Sequence, residues 1–319
     1  MAHAYIDAAA EARADAVKFQ THIASEESTL DEHFRVKFAL QDDTRFDYWK
    51  RMEFSPEQWA GLAQHAKDKG LIFLSSAFSI EAVKLLDKLD IPAWKLGSGE
   101  FRSMEMLSEM IKTGKPIIYS TGMSSWQEID SITKTLATKK YPFVLLQCTS
   151  QYPVSSKSVG LNVLDELRSR YLCPVGLSDH TGKVFAPLAA MVLGANMVEV
   201  HITFDKRMFG PDVQASLTVD QLALIADARD EFHVMKTHPV DKEQMAEHLK
   251  SMRDLFSKSV APARSLNKGE ILTEELLVPR KPGTGIPYTE KNQLVGRQLI
   301  KDVMPNRLLR WEDIGKKNA

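Results

Sequence analysis

The sequence predicts an α/β protein, a TIM-type (β/α) barrel followed by a smaller second domain. Short, nearly continuous apolar runs such as IIYS, FVLLQC and MVEVHI alternate with amphipathic stretches as far as Leu217. Apolar runs of this kind are typical of strands buried on both faces of a sheet. Strands that alternate with helices at this spacing form βαβ units and a parallel sheet.

Seven runs are predicted as strands, and helical patterns precede and separate them. The chain opens with a helical pattern over Ala2–Arg13, whereas an eight-stranded barrel opens with a strand and closes so that no sheet edge is left. The pattern therefore indicates a barrel that lacks its first strand, with an open doubly wound sheet as the alternative. The predicted strands are Ala16–Gln20, Leu71–Ser75, Ala93–Gly97, Pro116–Ser120, Pro142–Cys148, Cys173–Leu177 and Asn196–His201. The helical stretches between them include Pro56–Lys69, Ile80–Leu89, Ser124–Ala137 and Phe185–Leu193.

The alternation stops after Leu217, which places a second domain at the end of the chain. Val219–Lys236 and Asp241–Ser257 are predicted helices, and the sequence beyond them consists of short apolar runs between Lys-Gly and Pro-Gly turns. We therefore expect a barrel over residues 1–240, a linker helix over 241–256 and a loop-rich domain over 257–319.

Composition excludes several functional classes. The 319 residues carry a formal net charge of −1 without a long block of one sign, which argues against nucleic acid as a partner. No apolar run is long enough to cross a bilayer, and no secretory signal is visible, so no membrane partner is expected. The two cysteines, Cys148 and Cys173, are too few for a disulfide framework and indicate a reducing compartment, the cytoplasm.

Polar side chains stand at the carboxyl ends of the predicted strands, where a barrel gathers its functional groups. Lysines and hydroxyls that converge on one opening suit a phosphate ester carrying a carboxylate. The alternative is that the lysines are solvated rim residues and that the hydroxyls bond to turn backbone. The residues concerned are Lys18 and Gln20, Ser75 and Ser76, Lys95 with Ser98 and Glu100, Ser120 and Thr121, Thr149 and Ser150, and Ser178.

Two histidines end neighbouring predicted strands, His180 in GLSDHTG and His201 in VEVHIT. Adjacent strands could bring both imidazoles to one metal ion with open positions for water and substrate, and a pair of hydrogen-bonded core histidines is the alternative. Asp179 and Asp212 are candidate supporting or substrate-binding carboxylates, or simply turn residues. For Cys148 the preceding apolar run favours a buried, inert thiol over a nucleophile.

Eight stretches of the chain, in order, resemble the sialic acid synthase family, which includes N-acetylneuraminate, legionaminate and pseudaminate synthases. They are ADAVKFQTH, GLIFLSSAFS, IPAWKLGSGE, KPIIYSTGM, LLQCTSQYP, GLSDHTG, VEVHIT and FGPDVQAS. The last part of the chain, with NKGEIL, RKPGTGI and LVGRQL, is similar to the antifreeze-like (SAF) domain that follows the barrel in this family.

The resemblance implies a reaction and a role for each site residue. Carbon 3 of phosphoenolpyruvate would attack the open-chain aldehyde of an N-acetylated amino sugar while water adds at carbon 2, and the tetrahedral intermediate would lose phosphate. A divalent metal, Mn²⁺ or Mg²⁺, bound by His180 and His201 would polarise the aldehyde. The phosphate would be held by Lys95 with Ser76, Ser98, Ser120, Ser150 and Ser178, Lys18 and Gln20 would lie near the reacting carbons, Asp212 and Tyr152 would contact the sugar, and Glu100 would sit beside the site.

The resemblance also implies a domain-swapped homodimer, in which the SAF domain covers the partner's barrel. The family's loop there often reads Arg-Pro-Gly, so either Arg280 or Lys281 would reach the substrate. Arg13 replaces the family's usual Gly, Ser76-Ala77 replaces Thr-Pro, and Ser150 stands for Asn in some members. The family begins with a strand and a segment whose glutamate is catalytic, and this chain starts after it.

Two further functional classes stay open at this stage. A Schiff-base aldolase would use Lys18 or Lys95 to bind pyruvate. A catalytically impaired barrel would hold its ligand without turnover. The default sugar is N-acetylmannosamine, with a diacetamido trideoxy hexose as the alternative.

Overall fold

The structure is a computed structural model that describes residues 1–34 and 37–317. The chain divides into two compact units, Met1–Thr237 and His238–Ala319. The first unit carries the parallel sheet, and the second contains short antiparallel strand pairs. In the described part of the chain, no helix is long and apolar enough to span a membrane.

The first unit is built on a parallel seven-stranded sheet, which confirms the fold predicted from the apolar runs. Sequential strands are neighbours throughout, so β1 and β7 form the two edges. Each strand begins and ends within two residues of its predicted bounds. The strands are β1 (Ala16–Thr21), β2 (Ile72–Ala77), β3 (Trp94–Leu96), β4 (Ile117–Ser120), β5 (Phe143–Cys148), β6 (Val175–Asp179) and β7 (Met197–Val200). Beyond them, β8 (Ile202–Thr203) pairs with β9 (Leu217–Thr218).

Helices lie between the strands, and several of them begin at a side-chain cap. At Ser55 the hydroxyl accepts a hydrogen bond from the Gln58 amide, and the Gln58 side chain returns one to the Ser55 amide, so two unpaired backbone donors are satisfied. Ser125 and Glu128 form the same arrangement. The helices are α1 (Ala2–Glu11), α2 (Ala24–Glu27), α3 (Arg45–Met52), α4 (Pro56–Asp68), α5 (Ile80–Lys88), α6 (Met104–Lys112), α7 (Trp126–Thr138), α8 (Val163–Tyr171), α9 (Phe185–Val192) and α10 (Val219–Thr237).

The strands bury both faces, and alternate residues serve different purposes. On β4, Ile117 and Tyr119 belong to the large apolar core shared with the helices. Ile118 points the other way and packs with Leu74 and Leu146 in a small inner cluster. Because side chains alternate along a strand, the face that carries this inner cluster also carries Ser120.

The sheet curls into an open barrel. The Lys95 ammonium on β3 lies 3.5 Å from the Glu199 carboxylate on β7. In a flat sheet these strands would stand about 19 Å apart, four spacings of about 4.8 Å, which two side chains could not bridge to this distance. The curl therefore brings the ends of distant strands to one place.

The second unit begins with two short helices and continues as a small β domain. The linker helix predicted over 241–256 is in fact α11 (Lys242–His248) and α12 (Lys250–Phe256), which meet at Leu249. β10 (Ser259–Pro262) pairs with β11 (Leu277–Arg280), and β12 (Arg297–Leu299) pairs with β13 (Ile314–Lys317). A compact apolar core around Val260, Leu272 and Val303 holds these pairs together.

Candidate active site at the carboxyl ends of the strands

A network of charged and hydroxyl groups lies where the curled strands end. The buried Lys95 ammonium donates to the Ser120 hydroxyl at 2.7 Å and faces the Glu199 carboxylate at 3.5 Å. The Ser178 hydroxyl donates to the same carboxylate at 2.9 Å. Four strands thus contribute to a single cluster. Lys95 on β3 and Ser120 on β4 form one part of it, and Ser178 on β6 and Glu199 on β7 form the other.

The positive groups in this cluster keep the Glu199 carboxylate ionised. Burial alone would raise the pKa of Glu199, but Lys18, then Lys95 and the Ser178 hydroxyl outweigh burial and lower that pKa to about 2. Burial lowers the pKa of Lys95, and the carboxylate of Glu199 opposes this effect. Two lysine side chains thus act on one carboxylate, an arrangement that suits an anionic ligand.

Gly122 forms the floor of a cradle lined by small polar groups. A Cβ atom at this position would lie 2.6 Å from the Ser150 Oγ and 2.9 Å from both the Ser98 Oγ and the Cys148 Sγ. The Gly122 amide donates to the Ser98 hydroxyl at 3.2 Å. Only a residue without a side chain lets these three groups approach the backbone so closely, and two hydroxyls gathered at one point can bind the oxygen atoms of a ligand.

His180 and His201 approach each other, with ring centroids 5.2 Å apart, and the Tyr152 ring lies 4.2 Å from His180. The His180 Nδ1 is 3.2 Å from the Thr149 carbonyl, which requires Nδ1 to donate and leaves Nε2 with its lone pair in the neutral ring. Burial, followed by the Lys18 ammonium, lowers the pKa of His201 to about 3. Both imidazoles are therefore neutral at pH 7, the state in which a histidine binds metal.

The neutral pair has the donor set of an open metal site. Two imidazoles on adjacent strands can share one ion and leave the other positions to water and substrate. Among the described residues, no group of three or more His, Cys, Asp or Glu side chains is arranged around such an ion.

The remaining predicted residues lie on the same unit in different settings. Lys18 acts electrostatically on Glu199 and both histidines, whereas Gln20 is exposed. Ser76 is buried and pairs in register with Lys95. Glu100 accepts a hydrogen bond from Ser103 at 2.6 Å, and burial raises its pKa.

Asp212 lies on the loop between β8 and β9, which is tied down by Lys206. The Lys206 ammonium donates to the carbonyls of Gly182, Gln214 and Ser216. An ammonium bonded to three backbone carbonyls joins the loop after β6 to the loop that carries Asp212. Lys206 therefore fixes the loop position from which Asp212 would act.

Arg280 and Lys281 belong to the second unit. Both side chains are exposed, and the Lys281 ammonium lies 4.7 Å from the centroid of the Phe256 ring. Cys148, in the first unit, is buried and its pKa is raised, in keeping with the inert thiol expected from its apolar strand.

Glu199 is the main site residue that the sequence analysis missed. The signal was present in the sequence, because residues 199 and 201 lie two apart in one predicted strand and would therefore face the same side. The carboxylate stands within VEV, an apolar context that gave no reason to single it out. Its importance comes from its partner on β3, which only the curl of the sheet brings near.

The neutral histidines predict a pH dependence of stability. A folded-state pKa of about 3 for His201, against the usual 6.5, means that only the unfolded chain binds this proton between those values. The free energy of unfolding should therefore fall as pH falls below 6.5, by at most about 1.4 kcal/mol per pH unit from this residue.

Urea unfolding between pH 7 and pH 5, with a chelator present, measures the slope. His201→Asn should flatten it and His248→Asn, at an exposed position, should not. Identical slopes in the three proteins would contradict the assignment.

Comparison with known proteins places the chain in a family. The NeuB family model matches residues 5–239, and the SAF domain model matches residues 257–315. The N,N'-diacetyllegionaminic acid synthase of Campylobacter jejuni is 30% identical over 97% of this chain and 94% of its own length. The synthase of the same name from Legionella pneumophila is 32% identical over 98% and 90%. The solved N-acetylneuraminic acid (sialic acid) synthetase of Leptospira borgpetersenii superposes with a TM-score of 0.68 at 27% identity, over 79% of this chain and 86% of that one. These matches confirm the resemblance seen in the sequence, and the chain belongs to the NeuB family.

Proposed function

We propose that this protein condenses phosphoenolpyruvate with an N-acetylated amino sugar, giving a nonulosonic acid and inorganic phosphate. Family membership and the acid synthases among the relatives support this reaction class. The observation that carries the proposal is the Lys95–Glu199 cluster with its hydroxyls at the end of the barrel. Such a cluster suits a small dianionic substrate better than a neutral one.

Phosphoenolpyruvate would place its phosphate in the Gly122 cradle. Ser98 and Ser150 lie at Gly122. Ser120 on β4 and Ser178 on β6 stand on the two strands that flank β5. Lys95 would supply the charge-assisted hydrogen bond that makes phosphate binding strong. Ser76, in register with Lys95, would complete the set. Lys18 and Gln20, on β1, would then lie next to the reacting carbons.

In the proposed reaction a carbon–carbon bond forms and a carbon–oxygen bond breaks. Carbon 3 of phosphoenolpyruvate attacks the aldehyde carbon of the sugar, and the aldehyde oxygen becomes a hydroxyl. Water adds at carbon 2, and the tetrahedral intermediate expels phosphate to give the ketone of the product. Lys18 and Lys95 stabilise the negative charge of the substrate and of the departing phosphate in a pocket that is largely closed to water.

His180 and His201 would hold a divalent cation, Mn²⁺ or Mg²⁺, because both rings are kept neutral and their centroids lie 5.2 Å apart. When bound, such an ion supplies Lewis-acid polarisation of the sugar aldehyde. The protein's own part is to hold the two rings: the Thr149 carbonyl fixes the tautomer of His180, and Tyr152 packs against its face.

The sugar would lie between the anion pocket and the loop that carries Asp212, with Tyr152 as a second contact. N-acetylmannosamine is the default substrate and a diacetamido trideoxy hexose is the alternative. A domain-swapped homodimer is part of the proposal, with Arg280 or Lys281 reaching the partner's barrel. The cytoplasmic location stays a prediction.

A Schiff-base aldolase is the second candidate, and one observation favours it. Burial lowers the pKa of Lys95, and a lowered pKa is what an amine needs to attack a carbonyl group. Against this, the Lys95 side chain donates to Ser120 and is paired with Glu199, and the Glu199 carboxylate opposes the lowering of that pKa. Borohydride would trap a pyruvate adduct on Lys95 only if the aldolase proposal is right.

The proposed reaction predicts that phosphate release requires three components together. We expect release when phosphoenolpyruvate, N-acetylmannosamine or a diacetamido sugar, and Mn²⁺ are all present, and none when any one is omitted. A continuous phosphate assay, with mass spectrometry of the sugar product, measures it. Phosphate release that ignores the sugar would contradict the proposal, and binding of phosphoenolpyruvate without turnover would favour the impaired binding barrel.

The cradle predicts a selective effect of one added methyl group. Gly122→Ala would place a carbon within 3 Å of the Ser98 and Ser150 hydroxyls and displace them. We expect the Kd for phosphoenolpyruvate, measured by calorimetry, to rise about tenfold or more. Gly61→Ala is the matched control, because Gly61 lies on the exposed face of α4 with nothing within 4 Å of a Cβ. An unchanged Kd in Gly122→Ala would place the phosphate elsewhere.

A further inference from the structure

The imidazole of His22 is clamped between two aromatic rings at the end of β1. The Trp49 ring centroid lies 3.9 Å away with planes 17° apart, and the Phe78 centroid lies 4.3 Å away on a plane tilted by 13°. The Arg45 guanidinium lies 5.0 Å from the Trp49 ring and extends the stack. Because the two aromatic rings are nearly parallel to the imidazole, they fix its plane. Each ring nitrogen can therefore form a hydrogen bond only within that plane.

Glu27 fixes the rotation of the ring within this plane. Its Oε1 lies 2.6 Å from the His22 Nδ1, and the two side chains are only 8% and 11% exposed. Nδ1 therefore donates to a carboxylate, and the opposite nitrogen, Nε2, is the one turned away from it. This is the arrangement by which proteins aim an imidazole at another group.

The His22 Nε2 is buried and has no hydrogen-bond partner in the described part of the protein, and the same is true of the Glu27 Oε2. Buried polar atoms are nearly always hydrogen-bonded, because leaving one without a partner costs about 1–3 kcal/mol. A ring held by two aromatic faces and a carboxylate, yet left unbonded at its other nitrogen, is arranged for a ligand.

The clamp stands on the same rim as the anion pocket. His22 directly follows β1, Phe78 directly follows β2 and Glu100 follows β3, and these strands are neighbours in the parallel sheet. Gln20, two residues before His22, belongs to the strand that carries Lys18. A ligand that reaches from the anion pocket along this rim would meet the clamp.

The charges around the clamp exclude an anion as its ligand. Glu27 is bonded to the ring, and Glu100 lies close enough for both Glu27 and His22 to act on its titration. Glu32 accepts a hydrogen bond from the Trp49 indole at 3.2 Å. Arg45 balances Glu32, because its Nε lies 3.1 Å from the Glu32 carboxylate. The carboxyl groups of Glu27 and Glu100 remain, and they disfavour the carboxylate and phosphate of phosphoenolpyruvate. A neutral ligand rich in hydroxyl and amide groups can both donate to and accept from these partners.

We propose that His22 is a recognition residue for the amino sugar, and that its Nε2 forms a hydrogen bond with a hydroxyl or acetamido group of that substrate. The inference rests on the proposed function for the identity of the second substrate. It divides the mouth of the barrel by charge: lysines and serines hold phosphoenolpyruvate, and an acidic, aromatic rim holds the neutral sugar.

Three substitutions separate recognition from a structural role. His22→Phe keeps a ring in the stack and removes both nitrogens. His22→Gln places a polar atom near the position of Nε2, and His22→Asn places one near Nδ1. We expect the KM for the sugar to rise about tenfold in His22→Phe and His22→Asn and less in His22→Gln, while the Kd for phosphoenolpyruvate changes by less than about twofold. Thermal melting of each variant checks that the stack is kept.

The outcomes distinguish this inference from the proposed function. If the wild type turns over and His22→Phe leaves the KM for the sugar unchanged, Nε2 binds only a water molecule and the inference is wrong. If His22→Asn keeps the wild-type KM for the sugar and His22→Gln raises it, the only role of the imidazole is its hydrogen bond to Glu27. That result would also contradict the inference. If the wild type releases no phosphate, the proposed function fails, and calorimetry with N-acetylmannosamine then decides: the inference requires binding that His22→Phe weakens, and equal or undetectable binding contradicts it.

Discussion

The ammonium of Lys95 is buried, and the rest of the site depends on how that charge is balanced. An isolated ammonium away from water is very costly, so it needs an opposite charge and hydrogen-bond acceptors at short range. The Ser120 hydroxyl supplies one acceptor from the next strand, but the balancing carboxylate, Glu199, comes from β7. This pair can form only if the sheet curls, and curling in turn gathers the ends of all seven strands. Burial, together with the Lys18 ammonium, also lowers the pKa of His201 and keeps this imidazole neutral.

The same geometry gives the two halves of the barrel mouth different chemistry. Lys95 and the serines gather where β3 to β7 converge, around Gly122. On the loops after β1 and β2 the imidazole of His22 is clamped between aromatic rings and bonded to the carboxyl group of Glu27. One half suits an anion and the other suits a neutral polyhydroxy compound. A condensation between one charged and one neutral substrate needs this division, because each substrate must find its own place before the new bond forms.

Much of this was predictable from the sequence, and what was missed has a physical pattern. Apolar runs between amphipathic stretches set the strands and their parallel order, because both signals are local. Lys95, Ser120 and Ser178 could be named from the sequence because each lies at or near the end of a predicted strand. Glu199 was missed because its role is defined by a residue more than a hundred positions away. The His22 clamp was missed for a similar reason. Trp49 belongs to α3, and no local sequence pattern predicts that it stacks on His22. The linker was predicted as one helix, but the chain turns at Leu249 between two short ones.

The measurement that tests the account most directly is the affinity for phosphoenolpyruvate of a variant without the buried ammonium. Calorimetry would compare the wild type with Lys95→Met, which keeps much of the side-chain volume, and with Lys84→Met at an exposed position on α5. The loss of a charge-assisted hydrogen bond, together with an uncompensated Glu199, should weaken binding by about a hundredfold in Lys95→Met alone. A folded Lys95→Met protein that binds phosphoenolpyruvate as tightly as the wild type would show that the cluster is not the anion site.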